Sequence, residues 1–159
     1  MKLIAHRALR DGPNPALENH PLEIVQCLRL GFEVEVDVWL ENGQWSLGHD
    51  RPQYSVDFDF LNRPQLWLHV KNWHAADKLL ELYHLGYDLN FFDHNKDDRA
   101  LTSKGYWWTQ PGILPGHRGV MVMPEWITGE SQIEQALDFN ACGLCSDWVS
   151  KLKNALEGE

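Results

Sequence analysis

The fold of this chain is decided by residues 32–50, which read FEVEVDVWLENGQWSLGHD. In the first half, acidic residues alternate with valines, so that Glu35 and Asp37 share one face of a strand and the valines take the other. Asn42-Gly43 then predicts a tight turn, and the strand after it ends at His49. Two carboxylates two positions apart and a histidine at a strand end predict a metal site with a general base.

Composition limits the class of protein. The 159 residues are 43% hydrophobic, which is enough for one domain with a core of its own. The formal charge of −9 argues against a nucleic-acid partner, because a phosphate backbone requires an exposed basic surface. Three cysteines without a secreted spacing pattern predict a reducing compartment. The first residues carry only a short apolar run, so we expect no signal peptide, no membrane span and a cytoplasmic location.

Eight short strands are predicted, and each is followed by polar or turn residues. These residues are His6, Asp37, His49, Lys71, His94, Gln110, Glu125 and Ser146-Asp147. This recurrence is typical of a TIM-type (β/α)8 barrel, whose active site lies at the C-terminal ends of the strands. Since such a barrel usually takes about 250 residues, we predict a compact α/β barrel, one domain over residues 1–159, with several outer helices reduced or missing.

The predicted helices follow the periodicity of the apolar residues. They cover residues 21–30, 73–85 and 147–156, and a further helix, capped by Thr128 or Ser131, runs through residue 137. Residues 51–64 contain two prolines and show no helical period, which predicts a loop.

Five separated motifs form a series within the first 71 residues. In order they are His6-Arg7, Glu18-Asn19 before a helix, Glu35-Val36-Asp37, His49-Asp50 and Lys71. In order and spacing they resemble the glycerophosphodiester phosphodiesterase family, within the wider group of phosphatidylinositol-phospholipase-C-like barrels. Trp108-Thr109 and Cys145-Ser146-Asp147 are similar to the last strands of that family.

The resemblance implies a metal-dependent phosphoric diester hydrolase of lipid metabolism, acting on a small alcohol or sugar phosphodiester of the glycerol type. A phosphodiester resists attack because its oxygens are anionic and its leaving group is poor, so the site must supply positive charge and protons. Two histidines with pKa values near about 6.5 can divide the acid and base duties at neutral pH. The implied roles are binding of Mg²⁺ or Ca²⁺ by Glu35 and Asp37, acid–base catalysis by His6 and His49, and phosphoryl neutralisation by Arg7 and Lys71.

Three positions depart from the family pattern: Ala8 stands where a Gly follows His-Arg, His20 stands where a Thr follows Glu-Asn, and the third bears on the metal site. Where the family has Glu-x-Lys, with the glutamate as third metal ligand, this chain has His69-Val70-Lys71. An imidazole in place of a carboxylate removes a negative charge and favours Mn²⁺ or Zn²⁺ over Ca²⁺ or Mg²⁺. We therefore predict a divalent-metal site of Glu35, Asp37 and His69, with Glu18 as a further ligand or as a support for one.

Two alternative functions remain open at this point. A catalytically silent barrel could bind a phosphorylated ligand or a protein partner, because His69 weakens the metal site and short loops leave little wall around a substrate. A lyase could use the same two histidines to form a cyclic phosphate by intramolecular attack. The residues do not specify the natural substrate or the oligomeric state.

Overall fold

The computed structural model describes residues 1–158 and is built around one curled sheet with helices packed on its outer face. The strands are β1 Lys2–Ala5, β2 Glu33–Glu41, β3 Gln44–Leu47, β4 Tyr54–Val56, β5 Leu66–Val70, β6 Asn90–Phe92, β7 Arg99–Leu101, β8 Trp107–Thr109, β9 Gly119–Val122 and β10 Gly143–Ser146. The α-helices are α1 Pro21–Arg29, α2 Phe58–Leu61, α3 Trp73–His84, α4 Glu125–Thr128 and α5 Val149–Glu157. Two 3₁₀ segments, His6–Ala8 and Glu130–Asp138, complete the elements described.

Eight strands follow one another across the sheet in the order β6-β5-β2-β1-β10-β9-β8-β7. The strands from β6 to β8 in this order run parallel, and β7 is antiparallel to β8. The sheet is therefore a curled half-barrel, which confirms the predicted α/β class but not a complete (β/α)8 barrel.

Strand β3 is not a barrel strand, so that part of the prediction is wrong. It pairs antiparallel with the C-terminal half of β2, and β4 pairs antiparallel with β3. The cause is the two-residue turn at Asn42 and Gly43, both of which have positive φ, 50° and 79°. A turn this short can join only antiparallel strands, because a parallel connection needs a crossover of a dozen or more residues.

The two faces of β2 have the predicted environments. Val34, Val36 and Val38 are all 0% exposed and pack in the outer core beneath the helices. The opposite face, which carries Glu35 and Asp37, points to the inside of the curl. A second cluster fills that interior, with residues Ile4, Trp67, Phe92, Trp108, Val120, Val122, Met123 and Cys145. The acidic face of β2 is therefore enclosed by protein.

The outer layer is reduced, as predicted, and some local elements differ. No helix lies between β8 and β9 in residues 110–118. Residues 51–64 are not a loop: they form β4 and α2, and Asp57 caps α2 by accepting a hydrogen bond from the Phe60 amide at 2.8 Å. The helix predicted through residue 137 is instead a 3₁₀ segment, Glu130–Asp138, and Gly129, whose φ is 75°, separates it from the short α4 before it.

None of the helices within residues 1–158 has the length and apolar character needed to cross a membrane.

Candidate active site

The C-terminal ends of the strands surround a cleft of about 630 Å³. Of the eight predicted site residues, seven line this cleft: His6, Arg7, Glu18, Glu35, His49, His69 and Lys71. The eighth, Asp37, is 0% exposed and lies within 3.4 Å of side-chain nitrogens of Arg7, His49, His69 and Lys71. All the predicted site residues therefore meet at one end of the sheet.

Three of these residues could hold a metal ion. One ligand atom each from Glu35, Asp37 and His69 lies within 4.8 Å of the others. Nδ1 of His69 is 3.1 Å from Oδ1 of Asp37 and 3.5 Å from Oε1 of Glu35. Oδ1 of Asp37 is buried and makes no hydrogen bond to any residue in 1–158. Glu18 lies apart from this group and pairs with Arg7 instead, at 3.1 Å.

The ring of His69 is fixed in the orientation that a ligand needs. Its Nε2 lies 2.8 Å from the backbone carbonyl oxygen of His94, and the ring stacks on Phe92 with a centroid distance of 5.1 Å and an interplanar angle of 5°. A carbonyl oxygen only accepts hydrogen bonds, so Nε2 carries a hydrogen. In the neutral ring the lone pair is then on Nδ1, which faces the two carboxylates.

The electrostatics of the group favour a bound cation. Burial lowers the pKa of His69, but the hydrogen bonds and charges of Asp37 and Glu35 outweigh it and raise the pKa to about 9. Burial raises the pKa of Asp37, yet contacts with His49, His69 and Lys71 hold it well below its usual value. The two carboxylates thus attract a cation to Nδ1 of His69, where a metal ion would have to displace a proton.

Asp37 is held by a residue that the sequence analysis gave no role at the site. Asn19 donates from Nδ2 to Oδ2 of Asp37 at 2.9 Å, and its Oδ1 accepts a hydrogen bond from the Asp37 amide at 2.8 Å. Asn19 was visible as part of the Glu18-Asn19 motif, but its complete burial could not be read from the sequence.

Arg7 occupies a strained turn directly after β1. Its φ is 49°, and that of Ala8 is 64°, in the left-handed region that non-glycine residues rarely adopt. The Arg7 amide donates to Oε2 of Glu35 at 3.0 Å, and the guanidinium reaches Glu18 at 3.1 Å and Nε2 of His49 at 3.2 Å. Strain of this kind is concentrated at functional sites, where surrounding contacts maintain it.

His49 reaches the cleft from a tight turn at the end of β3. A Cβ on Gly48 would lie 2.1 Å from the carbonyl oxygen of Arg51, so only glycine fits there. Trp39 donates from Nε1 to the Gly48 carbonyl at 2.6 Å and fixes the turn from the other side. Nδ1 of His49 then lies 3.3 Å from Oδ2 of Asp37.

His6 is paired with an aspartate from the last strand–helix junction. Its Nδ1 lies 2.7 Å from Oδ1 of Asp147. Glu125 holds this junction by accepting hydrogen bonds from the Asp147 amide and from Oγ of Ser146, both at 3.0 Å. Burial lowers the pKa of His6, but the hydrogen bond to Asp147 and the charge of Glu35 outweigh it, so the pKa is raised.

The opposite side of the cleft is mainly apolar. Strands β8 and β9 and the segments after them contribute Trp108, Pro111, Val122, Met123 and Trp126. Most of the charged residues come instead from β2 and from the segments that follow β1, β3 and β5, and Asp147 follows β10. The cleft thus has a charged wall and an apolar wall.

The comparisons with known proteins found similarity in three-dimensional structure but none in sequence. No protein-family model and no curated protein matches it. Among solved structures, it is similar to a "putative glycerophosphodiester phosphodiesterase" from Galdieria sulphuraria, with a TM-score of 0.57 and 14% identity over 98% of this chain and 97% of that chain. The chain therefore has an α/β fold like that of this structure, built on the curled half-barrel sheet. At this identity the likeness shows the fold alone.

The similarity assigns no role to individual residues, so the roles of the cleft residues stay predictions. The sequence predicted those residues of the charged wall that lie in the first 71 positions. It did not place Asn19, Asp147 or Glu125 in the site, although Glu125 and Asp147 were recognised as strand-end residues. Their partners lie far away in the chain: His6 and Asp147 are separated by 141 positions.

Proposed function

We propose that this protein is a metal-dependent phosphodiesterase that hydrolyses a small alcohol or sugar phosphodiester of the glycerol type. The observation that carries the proposal is the convergence of Glu35, Asp37 and His69 beside two further histidines in one cleft. The description of the Galdieria protein supports the same class of reaction.

The residues present fit a divalent ion. The buried Oδ1 of Asp37 has no hydrogen bond within residues 1–158, and the Nδ1 lone pair of neutral His69 faces it. Glu35, Asp37 and His69 would hold the ion, and their mixture of two carboxylates and an imidazole suits Mn²⁺ or Zn²⁺ as well as Mg²⁺. When bound, the ion would supply positive charge to the phosphoryl oxygens.

Arg7 and Lys71 are the side chains that would orient the substrate. Both line the cleft and both lie 3.4 Å from Asp37, so their charges are directed to the centre of the site. Glu18 fixes the guanidinium of Arg7 at 3.1 Å. We propose that Glu18 acts through Arg7 and does not bind the metal.

We propose different duties for the two histidines, and their hydrogen bonds support this division. Arg7 can only donate to Nε2 of His49, so that nitrogen carries a lone pair and Nδ1–H donates to Asp37. We therefore propose that His49 is the base. Arg7 turns from Nε2 of His49 to the phosphate, and as water attacks phosphorus, the proton of the water passes to that Nε2. The contact with Asp147 raises the pKa of His6 and so favours the protonated ring, and its Nε2–H is transferred to the alkoxide as the P–O bond breaks.

A second candidate function rests on the cations already present. Arg7, His69 and Lys71 all lie within 3.4 Å of Asp37, so the acidic residues are compensated without a metal ion. Such a site would bind a phosphorylated ligand without cleaving it. A lyase that forms a cyclic phosphate would need the same two histidines as the hydrolase.

Cleavage of a generic aryl phosphodiester separates these functions. The protein is made metal-free, Mg²⁺, Ca²⁺, Mn²⁺ or Zn²⁺ is added back, and turnover is measured for wild type and His49→Asn. We expect metal-dependent turnover that falls at least about 10²-fold in His49→Asn, because the base is lost. His84→Asn, an exposed histidine of α3, is the matched control and should behave as wild type.

Turnover that needs no metal, or that His49→Asn leaves intact, would contradict the proposed mechanism. Absence of turnover together with binding of a phosphomonoester would favour the silent binder. Phosphorus NMR of the products of a 2-hydroxyalkyl diester distinguishes a hydrolase, which yields only the open phosphomonoester, from a cyclising lyase.

A further inference from the structure

Asn19 connects the strained turn after β1 to the centre of the candidate metal site. It is 0% exposed, and its backbone has a φ of 57°. Its amide donates to the carbonyl oxygen of Arg7 at 2.9 Å. Its side chain makes the two hydrogen bonds to Asp37 described above, one to the amide and one to Oδ2. A single buried side chain thus fixes both the backbone and the carboxylate of Asp37.

The two carboxylate oxygens of Asp37 differ in their hydrogen bonds. Oδ2 accepts the hydrogen bond from Asn19 and also lies 3.3 Å from His49 and 3.4 Å from Arg7. Oδ1 is buried and makes no hydrogen bond within residues 1–158, and its cationic neighbours are Nδ1 of His69 at 3.1 Å and Nζ of Lys71 at 3.4 Å. A buried carboxylate oxygen without a hydrogen bond is costly unless a cation binds it.

We propose that Asn19 is a positioning residue that reserves Oδ1 of Asp37 for the metal ion by holding Oδ2. This inference rests on the proposed metal-dependent function and deepens it. Without the hydrogen bond from Asn19, the carboxylate can rotate about its χ2 angle and present either oxygen to its neighbours. The ligand group would then no longer be preorganised.

The test must separate this role from a contribution of Asn19 to folding. Asn19→Gly keeps a residue that accepts a positive φ and removes only the side chain. His20→Ala is the matched control, because His20 caps α1 by accepting a hydrogen bond from the Leu22 amide at 3.2 Å and makes no hydrogen bond to Asp37. Both changes remove a hydrogen bond from the same segment, but only Asn19→Gly affects the carboxylate.

The measurement is the affinity of the metal-free proteins for Mn²⁺ by isothermal titration calorimetry, with circular dichroism as the check of folding. We expect Asn19→Gly to bind Mn²⁺ about 10- to 100-fold more weakly than wild type, as is usual for residues that orient ligands. We expect His20→Ala to melt at a lower temperature and to bind Mn²⁺ as wild type does. Wild-type affinity in folded Asn19→Gly, or equal weakening in His20→Ala, would overturn the inference.

The outcomes also separate this inference from the proposed function. If wild type binds Mn²⁺ and Asn19→Gly binds it equally well, only the role of Asn19 is wrong. If wild type binds none of Mg²⁺, Ca²⁺, Mn²⁺ and Zn²⁺ in the same titration, the proposed function and the role of Asn19 are both overturned.

Should Asn19→Gly fail to fold, Asn19→Asp keeps the shape and the acceptor but loses the donor to Oδ2. Weaker binding by Asn19→Asp supports positioning, and tighter binding, the effect of added negative charge alone, contradicts it.

Discussion

Asp147 determines the protonation state of His6. Burial alone would lower the pKa of His6, and the net rise comes from the hydrogen bond to Asp147 and the charge of Glu35. A raised pKa stabilises the folded protein fully below the ordinary value of 6.5, and this contribution is lost as the pH rises through the folded-state pKa. The same pairing favours the protonated ring that the proposed role of His6 as the acid requires.

Asp147→Asn should shift the pH dependence of catalysis. Without the negative partner, His6 loses its proton at a lower pH, so the alkaline limb of the kcat/KM profile should move down by about one pH unit. The profile of Asp77→Asn, an exposed aspartate of α3, should stay at the wild-type position. An unchanged alkaline limb in Asp147→Asn would show that His6 is not the acid.

Some residue assignments could be made from the sequence and others could not. The pattern of Glu35 and Asp37 was informative because alternation on a strand places both on one face. The contacts of Asn19 with Asp37 and of Asp147 with His6 could not be predicted from the sequence, since they depend on burial and on the folded chain.

Among the elements, the β2–β3 hairpin positions the proposed base. The tight turn at Asn42 and Gly43 returns the chain along β2, and Gly48 ends β3 in a turn that holds His49 beside Asp37. The sequence already contained the signal that β3 is antiparallel, because a two-residue turn cannot join parallel strands. By contrast, β4 and α2 are too short, at three and four residues, to show a period.

Gly48→Ala should therefore damage catalysis more than stability. The added methyl group would lie 2.1 Å from the carbonyl oxygen of Arg51, so the turn must move and His49 with it. We expect kcat/KM to fall about 10²-fold, the typical effect of a displacement near 1 Å. Gly43→Ala, in the same hairpin but with open space around its Cβ, should cost only about 1–2 kcal/mol of unfolding free energy. Equal kcat/KM values for the two variants would contradict this role of the turn.

For the whole molecule, the curl of the sheet brings the two halves of the chain together. Apart from Asp147, the charged wall of the cleft comes from residues before position 72, and the apolar wall comes from β8, β9 and the segments after them. The motifs of the first half could be read one after another along the chain. The apolar wall could not, because Trp108, Val122 and Met123 look like ordinary core residues until the order of the strands is known.

The net charge of the chain differs in sign from the charges of Arg7 and Lys71 in the cleft. A charge of −9 describes the whole chain, whereas the cleft contains Arg7, Lys71 and four histidines together with a few acidic residues. An anionic substrate is therefore met by local positive charge in a chain that is acidic as a whole.

The central claim is that Glu35, Asp37 and His69 bind one divalent ion. Crystals grown metal-free and then soaked in Mn²⁺ test it through the anomalous difference map recorded near the manganese edge. We predict a strong peak bonded to Oδ1 of Asp37, Nδ1 of His69 and a carboxylate oxygen of Glu35. The absence of a peak there at saturating Mn²⁺, with all three side chains ordered, would contradict the account.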